Sequence, residues 1–278
     1  GLWDLIVLGP EPVEIRDSPL YILGAWHPVY RDLLWGASGL QNQPQLKQQP
    51  RVCVLWTSSA GEVGFEPVEA EYLKEIIDEP RISKIWCGHE ALAEVLPKAF
   101  HAHYPVSLDF PAPRPAVERE GTMTLFAPAT MKKNAMNQLI AAALLQRETA
   151  LLLETNQPVP PLLRAAGLRW RQYDWLPEKK YRPLLAASSL NFACSWAETL
   201  SYQSIEAALL GVPSVGSKAV PWMPDWACAD PSNPLDIAYR GRVILGQGEA
   251  QRTIAAAWAS QANEALRQAI GRHLLPLV

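Results

Sequence analysis

Short, almost wholly apolar runs recur along this chain, and stretches of helical spacing fill the gaps between them. Trp3–Leu8 is one such run, closed by Gly9 and Pro10, and Leu20–Gly24, Arg51–Trp56 and Ile82–Cys87 follow it. Between them, Glu69–Ile77 sets Tyr72, Leu73, Ile76 and Ile77 at helical spacing, and Glu90–Leu96 reads as a short helix. An apolar run without polar alternation fits a strand buried on both faces. Strands of that kind separated by helices call for a parallel sheet covered on both sides.

The later part of the chain repeats the alternation. Strands are expected at Thr122–Phe126, Ala150–Glu154, Arg169–Tyr173, Leu190–Cys194 and Pro213–Ser217. Helices are expected at Asn134–Leu145, Pro161–Ala166, Lys179–Ala187, Tyr202–Leu210 and Thr253–Ile270, with Gly167 and Gly211 as stop signals. At 278 residues the chain suits two compact units. The alternating prolines of Phe110–Pro115 disfavour helix and mark the boundary. The expectation is two doubly wound α/β domains, residues 1–112 and 113–278, facing each other across a cleft, with ligands at the carboxyl ends of the strands.

Charge divides the same way. Residues 1–120 carry 10 Lys/Arg against 17 Asp/Glu, and residues 121–278 carry 15 against 11, so the second half is the better host for an anion. The net charge of −3 and pI near 6.0 give no overall case for nucleic-acid binding. Cys53, Cys87, Cys194 and Cys228 are far apart in apolar settings and read as buried free thiols. No apolar run approaches the roughly 18–20 residues of a membrane span, and no basic leader opens the sequence, so a cytoplasmic protein is expected.

The segment from Cys194 to Pro213 carries the chemistry. A strand ends, a small polar loop containing Glu198 follows, and a helix begins near Ser201, a residue able to cap it. The N–H groups and positive dipole end of that helix point back at the strand tip, an arrangement suited to a diphosphate. Glu206 faces the ligand side if Ile205, Ala208 and Leu209 face the sheet, where its carboxylate can accept from sugar or ribose hydroxyls. Upstream, Lys132 and Lys133 precede a helix start, where cations are unfavourable unless an anion is present.

Glu198-x7-Glu206, followed by Ala207 and Gly211-Val212-Pro213, resembles the E-x7-E signature of retaining glycosyltransferases of the GT-B fold. The resemblance covers residues 122–217 in detail and the first half in outline. It implies that Glu198 contacts the donor sugar, that Glu206 grips the ribose, and that the backbone at Thr199, Leu200 and Ser201 holds the diphosphate. Lys133-Asn134 fits the family's Lys, which neutralises the leaving group. The family's Arg falls near Ala129 or Thr130, neither of them basic, leaving Lys132 as the substitute without the bidentate fork of Arg.

The family also places a histidine of the first domain against the donor sugar. His27, after the Leu20–Gly24 strand, is the candidate, and His89 the second choice. His101 and His103 would share a strand face, without a third ligand for a metal. No D-x-D triplet occurs, which disfavours the metal-dependent GT-A class; the resemblance implies a UDP- or GDP-sugar donor and no metal or other cofactor. The short first half is similar to compact bacteriophage glycosyltransferases, some of which act on DNA. That similarity makes a hydroxymethylated pyrimidine the leading acceptor and host cytoplasm the expected location. Glycan, protein and lipid acceptors stay open, as do a nucleotide-sugar epimerase and a silent binding module.

Overall fold

The computed structural model describes residues 20–23, 51–57, 67–111, 121–128 and 130–277. The expected strand at Trp3–Leu8, the candidate His27, Ala129 and most of the Pro-rich boundary (residues 112–120) lie outside them. Two parallel sheets are present, as the apolar runs require. The first takes β1 (Leu20–Leu23), β2 (Arg51–Trp56), β3 (Ile82–Cys87) and β4 (Ala99–His101) in that order. Helices α1 (Pro67–Asp78) and α2 (Glu90–Val95) cross between its later strands.

The second sheet comprises β5 (Thr122–Leu125), β6 (Leu152–Thr155), β7 (Trp170–Gln172), β8 (Leu190–Ala193) and β9 (Ser214–Gly216). Their spatial order is β7-β6-β5-β8-β9, all parallel. Winding therefore runs outward in both directions from the β5–β8 pair, where Met123 lies opposite Leu190 and Thr124 opposite Asn191. Every residue of these two strands is buried. Covering the sheet are α3 (Ala135–Leu145), α4 (Pro161–Ala165), α5 (Glu178–Ala187), α6 (Tyr202–Leu209), α7 (Pro234–Ile244) and α8 (Gly248–His273).

Helix α3 buries Gln138, Ala141, Ala142 and Leu145, one face at helical spacing. A fully buried Leu such as Leu139 or Leu145 contributes about 1.5–3 kcal/mol. All four cysteines are buried and free, as their apolar neighbours indicate. Burial pushes the thiols of Cys53 and Cys87 up to about 12, so neither is a thiolate at neutral pH.

Three described elements differ from the sequence pattern, the three-residue β4 among them. α8 starts at Gly248 rather than Thr253, and α7 was not expected at all. Asn233 caps α7 by accepting from Leu235 and Asp236 N–H, with Pro234 in the first turn. That start signal is local and strong; only the weak apolar periodicity hid the helix. α8 spans 26 residues, about 39 Å, and reaches from α6 to the first sheet. Its Asn263 pairs with both backbone groups of Val106, at 3.0 and 2.8 Å, and His273 stacks on Phe100.

Gly211 ends α6 with φ +77°, the left-handed geometry that favours glycine. α8 begins directly against it: a Cβ on Gly248 would lie 1.8 Å from the Gly211 carbonyl oxygen. Gly248→Ala is therefore expected to shift backbone and lose about 1–3 kcal/mol, read as a lower midpoint in urea unfolding.

Candidate functional site

Side-chain amides fix the loop that follows β5. Asn156 accepts from Ala127 N–H at 3.1 Å and donates to its carbonyl at 2.9 Å, and Gln157 donates to the same carbonyl at 2.6 Å. The chain then makes a 3-10 turn, Met131–Lys133, and reverses at Asn134 in the left-handed region (φ 54°) before α3 begins. Lys133 thus sits in a tight turn, one residue earlier than a start of α3 at Asn134 would put it.

That loop is laced to the one after β8. Trp196 N–H donates to the Lys132 carbonyl at 2.7 Å, and the Asn134 amide donates to the Cys194 carbonyl at 3.1 Å. Gln138 accepts from Cys194 N–H at 2.8 Å and donates to the Lys133 carbonyl at 2.7 Å. The two loops therefore form one rigid shelf over the ends of β5 and β8. This is where the winding direction reverses and ligands of such sheets bind.

A cavity of about 400 Å³ opens on the shelf, a size that suits a small-molecule ligand. Lys133 Nζ donates to Glu198 Oε1 at 2.6 Å, and Ser195 Oγ donates to the same oxygen at 2.8 Å. Glu198 is only 7% exposed, and the whole group lines the cavity. Ion pairs so enclosed owe their persistence to each other: removing one partner strands a charge at about 3–5 kcal/mol.

α6 supplies the next part of the wall. Ile205, Ala208 and Leu209 are buried against the sheet, and Glu206 lines the cavity as helical spacing requires. Burial raises the Glu206 pKa, and Arg182 on α5, 3.4 Å away, works against that rise. Leu200 and Ser201 also face the cavity. Ser201 stands at the N-cap position of α6, yet its side chain accepts no capping bond; with ψ at 87° it departs from the geometry that aims an N-cap oxygen at the first turn.

Thr199 turns away from the cavity. Its hydroxyl donates to the Thr57 carbonyl at 2.7 Å, tying the Glu198 loop to the end of β2. Tyr202 OH adds a second tie, donating to the Pro105 carbonyl at 3.2 Å; burial, then the Glu206 charge, push its phenol up to about 12. Gly88 leaves room for this contact, since a Cβ there would lie 2.5 Å from the Thr199 methyl. Lys132 is half-buried beside the cavity without lining it, and burial, then the charge of Lys133, lower its pKa. An anion bound here would relieve both penalties.

His89 occupies the N-cap position of α2, without a side-chain capping bond and with Nδ1 buried and unpartnered. β4 ends at His101, so the shared strand face expected for His101 and His103 does not form; their rings meet edge-on at 4.8 Å. Among the described residues, no three His, Cys, Asp or Glu side chains are grouped to hold a metal. No helix among them is long and apolar enough to cross a membrane. Sequence reasoning missed Ser195, Gln138 and Arg182. Gln138 was detectable, as a polar side chain on the buried face of an Ala/Leu-rich helix. Arg182 gave no local signal, because only tertiary packing brings α5 to α6.

No protein-family model matches the chain, and no curated protein matches it. Solved structures do. Sucrose-phosphate synthase from Thermosynechococcus elongatus superposes with a TM-score of 0.61 at 16% identity, over 91% of this chain and 74% of that one. HepE from Anabaena, in complex with UDP-glucose, gives 0.62 at 14% identity over 80% and 72%. A UDP-forming α,α-trehalose-phosphate synthase from Burkholderia xenovorans gives 0.62 at 10% over 94% and 75%. The fold is GT-B. Identities this low establish the GT-B architecture alone and leave activity to be argued from this chain's own residues.

Within this GT-B frame, Glu206 holds a carboxylate in a wall that disfavours its charge. Its folded pKa lies above the ordinary value of 4.5, so the folded state binds the proton more tightly than the unfolded state. The resulting destabilisation is absent below pH 4.5 and grows as pH rises through the raised pKa. Glu206→Gln is accordingly expected to melt at a higher temperature than the wild type at pH 7. That advantage should shrink toward pH 4, as thermal unfolding at the two pH values would record.

Proposed function

We propose that this chain is a glycosyltransferase that moves a sugar, with retention, from a nucleoside-diphosphate sugar to a hydroxyl acceptor. UDP-sugars come first among the donors. One observation carries the reading: Lys133, Glu198 and Glu206 line a single cavity at the reversal point between β5 and β8. The GT-B neighbours support it, since HepE is solved with UDP and with UDP-glucose.

In the transfer, the bond between the anomeric carbon and the diphosphate breaks, one to the acceptor oxygen forms, and the acceptor hydroxyl's proton passes to the departing diphosphate. Negative charge builds on the departing diphosphate. Lys133 and the backbone of Leu200 and Ser201 at the start of α6 stabilise that charge, the largest contribution expected in such a site. Lys132 adds to the local positive potential. Glu198, fixed by Lys133 and Ser195, faces the sugar, and Glu206 accepts from ribose hydroxyls. Trp175, which is 74% exposed, and Leu176 give the cavity an apolar wall for the base. Thr199 acts through its tie to Thr57, and His27 is the first-domain candidate for the sugar.

The proposed acceptor is a hydroxymethylated pyrimidine in DNA. Incubation with UDP-, GDP- and ADP-sugars, with and without hydroxymethylated DNA, tests donor and acceptor together. Free diphosphate and glycosylated DNA are expected. Donor consumed without an acceptor product would favour an epimerase, and binding without turnover a silent module. Lys133→Ala is expected to lower kcat by about 100-fold or more, with circular dichroism confirming the fold; unchanged turnover in a folded variant would remove Lys133 from the mechanism.

A further inference from the structure

Two enclosed polar atoms close to Glu206 have no hydrogen-bond partner: the Tyr181 hydroxyl and Arg182 Nε. Both belong to α5. Arg182 spends its terminal nitrogens on Glu178 at 2.9 Å and Glu206 at 3.4 Å. Tyr181 has nothing comparable. Its ring packs edge-on against Phe126 (centroids 5.7 Å apart), and its side chain lines the same cavity as Glu206. Natural structures rarely leave a buried hydroxyl unpaired, because the desolvation it suffered goes uncompensated.

The chemistry of the pair narrows what could satisfy it. Glu206 can only accept while ionised, and among the described residues its side chain is hydrogen-bonded to Arg182 alone. Burial and then the charge of Glu206 hold the Tyr181 phenol protonated, so it is a donor. A phosphate oxygen beside Glu206 would be repelled, and an apolar group would leave the phenol unpaired. A ligand hydroxyl can donate to Glu206 while accepting from Tyr181, and two adjacent hydroxyls satisfy phenol and carboxylate together. The loop bearing Trp175 and Leu176 leads directly into α5, and Tyr181 and Glu206 line one cavity with those residues and with Lys133.

We propose that Tyr181 is a specificity residue of this cavity: its unpartnered hydroxyl donates to a hydroxyl of the ribose already assigned to Glu206, and so selects ribo- over deoxyribonucleotides. The assignment rests on the nucleotide-sugar reading and adds to it a specificity residue that the two-glutamate motif does not contain.

Calorimetric titration of wild type and Tyr181→Phe tests it, using whichever of UDP, GDP and ADP binds most tightly together with its 2′-deoxy and 3′-deoxy forms. The wild type should prefer the ribo form by about tenfold. Tyr181→Phe should weaken the ribo form by about 5- to 20-fold and leave one deoxy form unchanged, erasing that preference. The unliganded variant should melt no lower than the wild type, because the ring keeps its packing and loses only an unpaired hydroxyl. Equal weakening of all three ligands, or none, overturns the assignment. A wild type that binds none of the three diphosphates overturns the nucleotide reading itself, and the assignment with it.

Discussion

Adjacency of β5 and β8 is the constraint on which the rest depends. These two strands are buried along their whole length, so neither can sit at an edge of the sheet. With β6 and β7 built outward from one and β9 from the other, the covering helices part above their carboxyl ends. The loops there cannot bury themselves under a helix, and their polar groups must be satisfied by each other. Asn134, Gln138, Asn156 and Gln157 do this with side-chain amides. The result is a stiff polar shelf beside an apolar cavity.

Electrostatics on the shelf is arranged against stability. Lys133 and Glu198 are both enclosed, and a buried ion pair returns little net energy after desolvation. Glu206 is held with a raised pKa, and Lys132 with a lowered one. Four charges at and beside one cavity, two of them an enclosed pair and two with shifted pKa values, are costly for the folded chain and mark a candidate binding site. The ties from Thr199 to Thr57 and from Tyr202 to Pro105 bring the first sheet's loops to the same place. The shelf and the loops of the first sheet are therefore mechanically connected.

Much of the fold was legible because it depends on local patterns. Apolar runs marked eight described strands within a residue or two, and Gly167 and Gly211 stop their helices with positive φ. β4, only three residues long, fell below the length at which a pattern declares itself. In the site, Glu198, Glu206 and Lys133 were legible because one carboxylate ends a strand loop, another sits a helical turn beyond, and a cation stands where only an anion would favour it. Thr199 shows the limit of that reasoning. It lies in the motif, yet its side chain serves the contact with Thr57, which local sequence does not encode.

The sequence by itself determined the class of architecture and the segment that carries the charge, because periodicity and capping act over a few residues. Tertiary structure decided which groups meet. Lys133 and Glu198 are 65 positions apart and become a pair only when β5 and β8 become neighbours. Tyr181 and Arg182 reach Glu206 only when α5 packs beside α6. Hydrogen bonds and desolvation act over a few ångströms in space, and no local reading of the chain measures that distance.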